Sequence, residues 1–259
     1  MTELPLADRA YYYLCVVLGK LLRAGRYSSV KLVDQDGEVL VRKHRAFYAP
    51  LLVSLGGPLV RVLDTGSRVL SQREWVERER ELYETLYGAS VRIDGDGAIL
   101  LPHLGGVTLA TLLEDPALGD EARRTAIERA VTSLAELHAR DVTHADAMAE
   151  NVLVDLEAGV ARWFDFETVH DPGRPMLWRR ADDVRALLAT CLLRTAPEAF
   201  AETLHRIVDA YADDAIVPLL AERFASTRQR ALPFHLGQAP LSVQNFREIA
   251  RLLRERRGG

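Results

Sequence analysis

Three oxygen-bearing side chains stand at spacings that could do chemistry. They are Asp146, Asn151 and Asp165, carried by L-H-A-R-D-V-T-H-A-D-A-M-A-E-N-V-L-V-D and, after a turn, W-F-D-F-E. Each lies beside a short run of β-formers, Val152-Leu153-Val154 or Ala161 to Phe164, so a hairpin would hold them at its ends. Two carboxylates and one amide are hard oxygen donors that suit Mg²⁺ carrying a nucleotide phosphate. In such a site Asp146 would orient an attacking hydroxyl or accept its proton, while Asn151 and Asp165 would hold the metal. Phosphoryl transfer needs positioning and charge neutralisation more than covalent chemistry, so these parts suffice. His144, two residues before Asp146, reads as a prop for the loop rather than an acid or base.

A cation to face them is found far upstream. Two runs of β-formers, Val30 to Val33 and Val39 to Val41, flank Asp36-Gly37, a strong signal for a hairpin with a type I′ turn. That turn sets the register: Gln35 faces Glu38, Leu32 faces Val41, and Val30 faces Lys43. Alternation then puts Val30, Leu32, Val41 and Lys43 on one face, where Lys43 is the one cation. An ammonium on such a face requires a partner, and a phosphate or a carboxylate would serve.

The elements that must position these groups read in order. Leu6 to Leu22 is expected to be a buried helix ending near Gly25. Gly56-Gly57-Pro58 marks a turn. Ser71 to Tyr87 is a charged amphipathic helix with Trp75, Leu82 and Leu86 on one stripe and Gly88 as its stop. A second hairpin turns at Asp94-Gly95-Asp96-Gly97, and its apolar strand breaks at Pro102 and Gly105-Gly106. Ala122 to Arg140 is a long helix with Ala126, Ala130, Leu134 and Leu137 on one face, and it delivers the chain to His144. Val169 to Pro175 reads as a loop, and a helix starts around Ala181-Asp182-Asp183. Glu198 to Tyr211, Val217 to Thr227 and Ser242 to Arg257 follow as helices. The last carries Arg247, Arg251, Arg254, Arg256 and Arg257, and it could make weak peripheral contact with anionic lipid, although a solvated face explains it as well.

The totals exclude several classes. A chain of 259 residues, 48% hydrophobic and 27% charged, fits one large domain or two lobes of an ordinary globular enzyme. A net charge of -4 leaves no overall basic field for nucleic acid. The two cysteines, Cys15 and Cys191, sit in apolar runs, form no C-x-x-C pair, and are expected to be buried, which fits a cytoplasmic location. There is no Walker loop, no Rossmann G-x-G-x-x-G, no H-E-x-x-H and no G-x-S-x-G.

The joint order of long helix, H-x-D, four residues, N, β-formers, turn and D-F-E resembles the catalytic and metal-binding segments of the protein-kinase-like superfamily. The resemblance runs from about Arg23 to the helix of Asp183. It implies an α+β fold with two lobes: a small antiparallel sheet with the charged helix in 1–104, and a mainly helical lobe in 105–259. It further implies ATP and Mg²⁺ as cofactors. By resemblance, Glu79 would pair with Lys43, with Glu81 as runner-up; Gly25, Ser28 and Val30 would cover phosphates and base; backbone near His103 and Leu104 would read adenine; and Asp183 would brace the catalytic loop.

The chain departs from the family pattern at named positions. Of the glycine-rich loop only Gly25 matches, Arg23 and Ser28 taking the other glycine positions. Met148 replaces the lysine typical of Ser/Thr protein kinases, and the segment from Asp165 to Asp183 is short, with no A-P-E. The bacterial lipopolysaccharide-kinase, RIO-like and aminoglycoside-phosphotransferase-like branches are therefore nearest. The implied acceptor is a small-molecule, sugar or lipid hydroxyl. Glu167 stands where D-F-G has glycine, either as a third metal contact or as a charge that repels phosphate. A nucleotide-binding or scaffolding pseudoenzyme is the alternative, and an atypical Ser/Thr protein kinase the second.

Overall fold

The computed structural model describes residues 28–35, 37–45, 66–225 and 243–258. The expected helix Leu6 to Leu22, Cys15, Gly25, Asp36 and the turn Gly56-Gly57-Pro58 lie outside the described residues, and Ser28 enters only as a backbone position. The protein is α+β, with a small antiparallel sheet region and a mostly helical remainder, an arrangement compatible with two lobes.

Strands β1 (Ser28–Gln35) and β2 (Glu38–Arg45) form the expected hairpin, with Val30 opposite Lys43, Leu32 opposite Val41 and Gln35 opposite Glu38. Gly37 has φ +80°, and its N–H donates to the Asp34 carboxylate at 3.1 Å, so the tight turn fixes the register. Strands β4 (Arg92–Ile93) and β5 (Ile99–Pro102) complete a sheet of order β1-β2-β5-β4, with Lys43 opposite Ile99. Between the two hairpins run β3 (Ser67–Val69) and helix α1 (Gln72–Tyr87). Trp75 and Tyr83 of α1 pack with Leu70, Val91, Ile99 and Leu101, so the helix lies against the Lys43 face of the sheet.

Strand β6 (Val107–Thr108) leads into α2 (Leu109–Glu114), and α3 spans Asp120–Ala139 with Ala126, Ala130, Leu134 and Leu137 buried, as their spacing predicts. A 3₁₀ turn, Ala149–Asn151, precedes the hairpin of β7 (Val152–Asp155) and β8 (Val160–Trp163), which β6 joins as a third strand. Gly106 permits that junction: its φ is +82°, and a Cβ there would lie 2.8 Å from the Val154 carbonyl oxygen.

Two expectations need correction. Val169 is not in a loop: β9 (Thr168–His170) pairs antiparallel with β3. And the helix carrying Asp183 starts at Met176, right after Pro175, not near Ala181; α4 spans Met176–Leu192. Pro175 at its entrance sets the start, since proline suits the first turn and cannot extend a helix backwards. Helices α5 (Phe200–Tyr211), α6 (Val217–Ala225) and α7 (Val243–Gly258) close the larger core. Each fully buried leucine in it, such as Leu134, Leu187 and Leu220, contributes about 1.5–3 kcal/mol relative to exposure.

Candidate functional site

The loop between α3 and β7 is held from behind by one carboxylate. Asp183 of α4 accepts from the backbone N–H groups of His144 and Ala145, each at 2.8 Å, and from His138 Nε2 at 2.9 Å. Burial works to raise the Asp183 pKa, but His170, His138 and His144 outweigh it and hold the carboxyl below its ordinary range. This is the brace expected of Asp183. Further along the loop, Thr190 Oγ1 accepts from Ala149 N–H at 3.0 Å and Arg194 pairs with Glu150 at 2.8 Å. His144 donates through Nε2 to the Phe164 carbonyl at 2.8 Å and stacks near Phe166, so it props the loop as expected.

So braced, the loop presents Asp146 half-buried, and Asn151 Nδ2 donates to both its backbone and its side-chain oxygen at 2.8 Å. The amide nitrogen of Asn151 being committed, its oxygen is the end left to meet a cation. Burial pushes the Asp146 pKa well above the ordinary carboxylate value, and the negative charge of Asp165 adds to the shift.

Asp165 follows β8 in a left-handed conformation, φ +68°. Its neighbour Phe166 is fully buried in the larger core, while Asp165 and Glu167 on either side of it both reach towards the sheet. There they meet Lys43. Its Nζ lies 2.5 Å from Asp165 Oδ1, 2.5 Å from Glu167 Oε1 and 3.6 Å from Glu79 Oε1. Lys43 is 4% exposed and Glu79 is 0% exposed, so these are desolvated charges. Burial opposes the ammonium, yet the three acids outweigh it, and the Lys43 pKa lies above its ordinary value. The same burial raises Glu79, while Lys43 overcomes it at Asp165 and leaves that carboxyl lowered.

Lys43, Glu79 and Asp165 form one group of contacts and Asn151 and Asp146 a second, close enough for the Asp165 charge to act on Asp146, and Glu79 rather than the exposed Glu81 faces the lysine. Val30 lies opposite Lys43 with its side chain 59% exposed, next to an equally exposed Leu32. His103 is exposed and Leu104 half-buried just beyond β5; the Leu104 carbonyl accepts from Arg162 at 3.0 Å. Four residues of extended chain separate His103 from Ile99, the partner of Lys43, roughly 13 Å along the strand. Among the described residues no group of three or more His, Cys, Asp or Glu is arranged to hold a metal ion. Asn151 and Asp165 supply oxygen donors, and the Asp165 side chain is 33% exposed.

Sequence reasoning missed Arg45. It lies two residues beyond Lys43 on the same face, only 6% exposed, and donates to Glu167 Oε2 at 3.2 Å and to the Leu70 carbonyl at 2.7 Å. Its guanidinium stacks 4.4 Å from the Trp75 ring, and that indole in turn donates to Glu79 at 3.2 Å. The period-2 alternation that placed Lys43 would have placed Arg45 as well. Two other expectations meet the structure directly. Cys191 is buried, and burial pushes its thiol up to about 12. On α7, Arg251 pairs with Glu248 and Glu255, and Arg256 with Asp209, so much of that basic face is neutralised within the chain. No helix among the described residues is long and apolar enough to cross a membrane. No protein-family model matches the chain, and no curated protein matches its sequence.

Proposed function

We propose that the chain is a kinase-like phosphotransferase of two lobes, 1–104 and 105–259, that moves the γ-phosphate of ATP to a hydroxyl of a small-molecule, sugar or lipid acceptor. The observation that carries this reading is the meeting of Lys43 and Asp165, 122 residues apart in the chain, at 2.5 Å beside the Asn151–Asp146 pair. The donor set fits magnesium: Asn151 and Asp165 would hold it through oxygen, as a hard cation prefers. When bound, the metal would neutralise charge on the triphosphate.

The chain's own residues then have distinct tasks. Lys43 donates to the phosphates, Glu79 adds a buried counter-charge beside it, and the exposed apolar face of Val30 offers the base a surface. Asp146 orients the acceptor hydroxyl and takes its proton, a task for which a raised pKa is suited. The Asp183 brace keeps Asp146 in place. The buried Met148 and the few residues between β9 and α4 favour a small acceptor over a polypeptide.

The test is turnover. Asp146→Ala is expected to lower kcat at least about a hundredfold while leaving MgATP affinity nearly intact. Full activity in that variant would remove Asp146 from the mechanism. The contact of Glu167 with Lys43 favours one second reading, a pseudoenzyme that binds nucleotide without transferring it. That reading predicts no ATP consumption with any acceptor hydroxyl.

A further inference from the structure

Of the 33 lysines and arginines in this chain only three are lysine: Lys20, Lys31 and Lys43. Lys43 therefore stands out as a compact ammonium with three donors in a background of guanidinium groups. Its partners are unequal. Glu79, the acid on α1, lies at 3.6 Å, beyond hydrogen-bond reach, whereas Glu167 and Asp165 lie at 2.5 Å. Glu167 is itself fixed twice, through Oε2 to Arg45 at 3.2 Å and through its backbone carbonyl, which accepts from Leu70 N–H at 2.9 Å. Arg45 closes the ring by donating to the Leu70 carbonyl at 2.7 Å while stacked on Trp75. Both oxygens of Glu167 are thus turned to cations of the sheet.

We infer that Glu167, backed by Arg45, is the positioning residue that anchors Lys43 in this chain, with Glu79 of α1 in a secondary role. The consequence for nucleotide rests on the phosphotransfer reading above. On that reading Asp165 would be a ligand of the metal, and Glu167 would hold the ammonium of Lys43 where its free donor can meet a phosphate. Glu167 then acts through Lys43, neither as a metal ligand nor as a charge set against the phosphate.

The test compares Glu79→Gln, Glu167→Gln and Arg45→Met in the full chain, all close in size to the native side chains. Lysine-selective ¹⁵N labelling leaves at most three side-chain ammonium signals, with Lys43 assigned by loss in Lys43→Arg. In nucleotide-free protein, Glu167→Gln is expected to broaden the Lys43 signal into solvent exchange, and Glu79→Gln to leave it sharp. In steady-state kinetics, Glu167→Gln is expected to raise the KM for MgATP about tenfold with a smaller fall in kcat, and Glu79→Gln to raise it no more than about threefold. Arg45→Met, which keeps the acid, should move both readouts in the direction of Glu167→Gln, and it carries the test if Glu167→Gln folds poorly. An equal or larger effect of Glu79→Gln would overturn the inference. So would a Glu167→Gln variant with an unchanged Lys43 signal and a raised Mg²⁺ requirement, the mark of a metal ligand. Should the wild-type chain neither bind nor consume MgATP, the phosphotransfer reading falls, and the nucleotide-free spectra alone decide the anchor.

Discussion

Asp183 ties four side chains or peptide groups to one carboxylate: His144 N–H, Ala145 N–H and His138 within 2.9 Å, and His170 at 3.8 Å. It is 1% exposed, so its charge is worth holding only because every neighbour is a donor. Its folded pKa is lowered, so its contribution to stability is fully present above the unfolded value of 3.8 and is lost as pH falls through the folded pKa. Asp183→Asn should therefore cost about 2–4 kcal/mol near neutral pH and flatten the acid limb of the stability curve. Denaturant melts between pH 7 and pH 3 check both. An unchanged acid limb would show that other carboxylates govern it. At this scale the sequence was informative for His144, Asp146, Asn151, Lys43 and Glu79, because each follows from a short local spacing. Alternation along β2 puts Arg45 on the Lys43 face as well, but that it pairs with Glu167, 122 residues away, is set only by the tertiary fold.

Among the elements, α1 shows how local rules set a functional position. Ser71 caps it, accepting from Glu74 N–H at 3.4 Å, while the Glu74 carboxylate accepts from Ser71 N–H at 2.9 Å. Arg68 adds a two-pronged contact to Glu74 at 3.0 and 3.2 Å, and these hydrogen bonds hold the Glu74 pKa down to about 2. Gly88, at φ +62°, ends the helix. The caps fix where the helix starts, and so which turn puts Glu79 under Lys43. Ser71→Ala is expected to lower stability by about 1 kcal/mol, read as a fall in Tm, with Glu79 still facing Lys43. A loss above about 3 kcal/mol would mean that the cap supports more than the helix end. The same start and stop signals made α1 readable from the chain alone, as the Asp36-Gly37 pair did for β1 and β2. Strands β3, β6 and β9 are two or three residues long and carry no periodicity to read. The start of α4 was hidden because Trp178, Arg179 and Arg180 blur its apolar stripe.

Across the whole molecule, two packed regions converge on one set of charges. The smaller cluster under the four-stranded sheet supplies Lys43, Arg45 and Glu79; the larger helical core supplies Asp146, Asn151, Asp165 and Glu167. Only the folded chain brings them together, which is why the α+β class and the helical character of the second half were legible while the closed ring of ions was not. Four carboxylates against two cations leave the set short of positive charge, a deficit that a divalent ion held by Asn151 and Asp165 would offset. On the phosphotransfer reading, Asp165 would hold magnesium in place of Lys43 once ATP is bound. Titration calorimetry of ATP with and without Mg²⁺, on the wild-type chain and on Asp165→Ala, measures this directly. The expected result is at least about tenfold tighter binding with Mg²⁺, or about 1.4 kcal/mol, in the wild type and no such gain in Asp165→Ala. Equal affinity with and without the metal, or a gain that survives in Asp165→Ala, would contradict it.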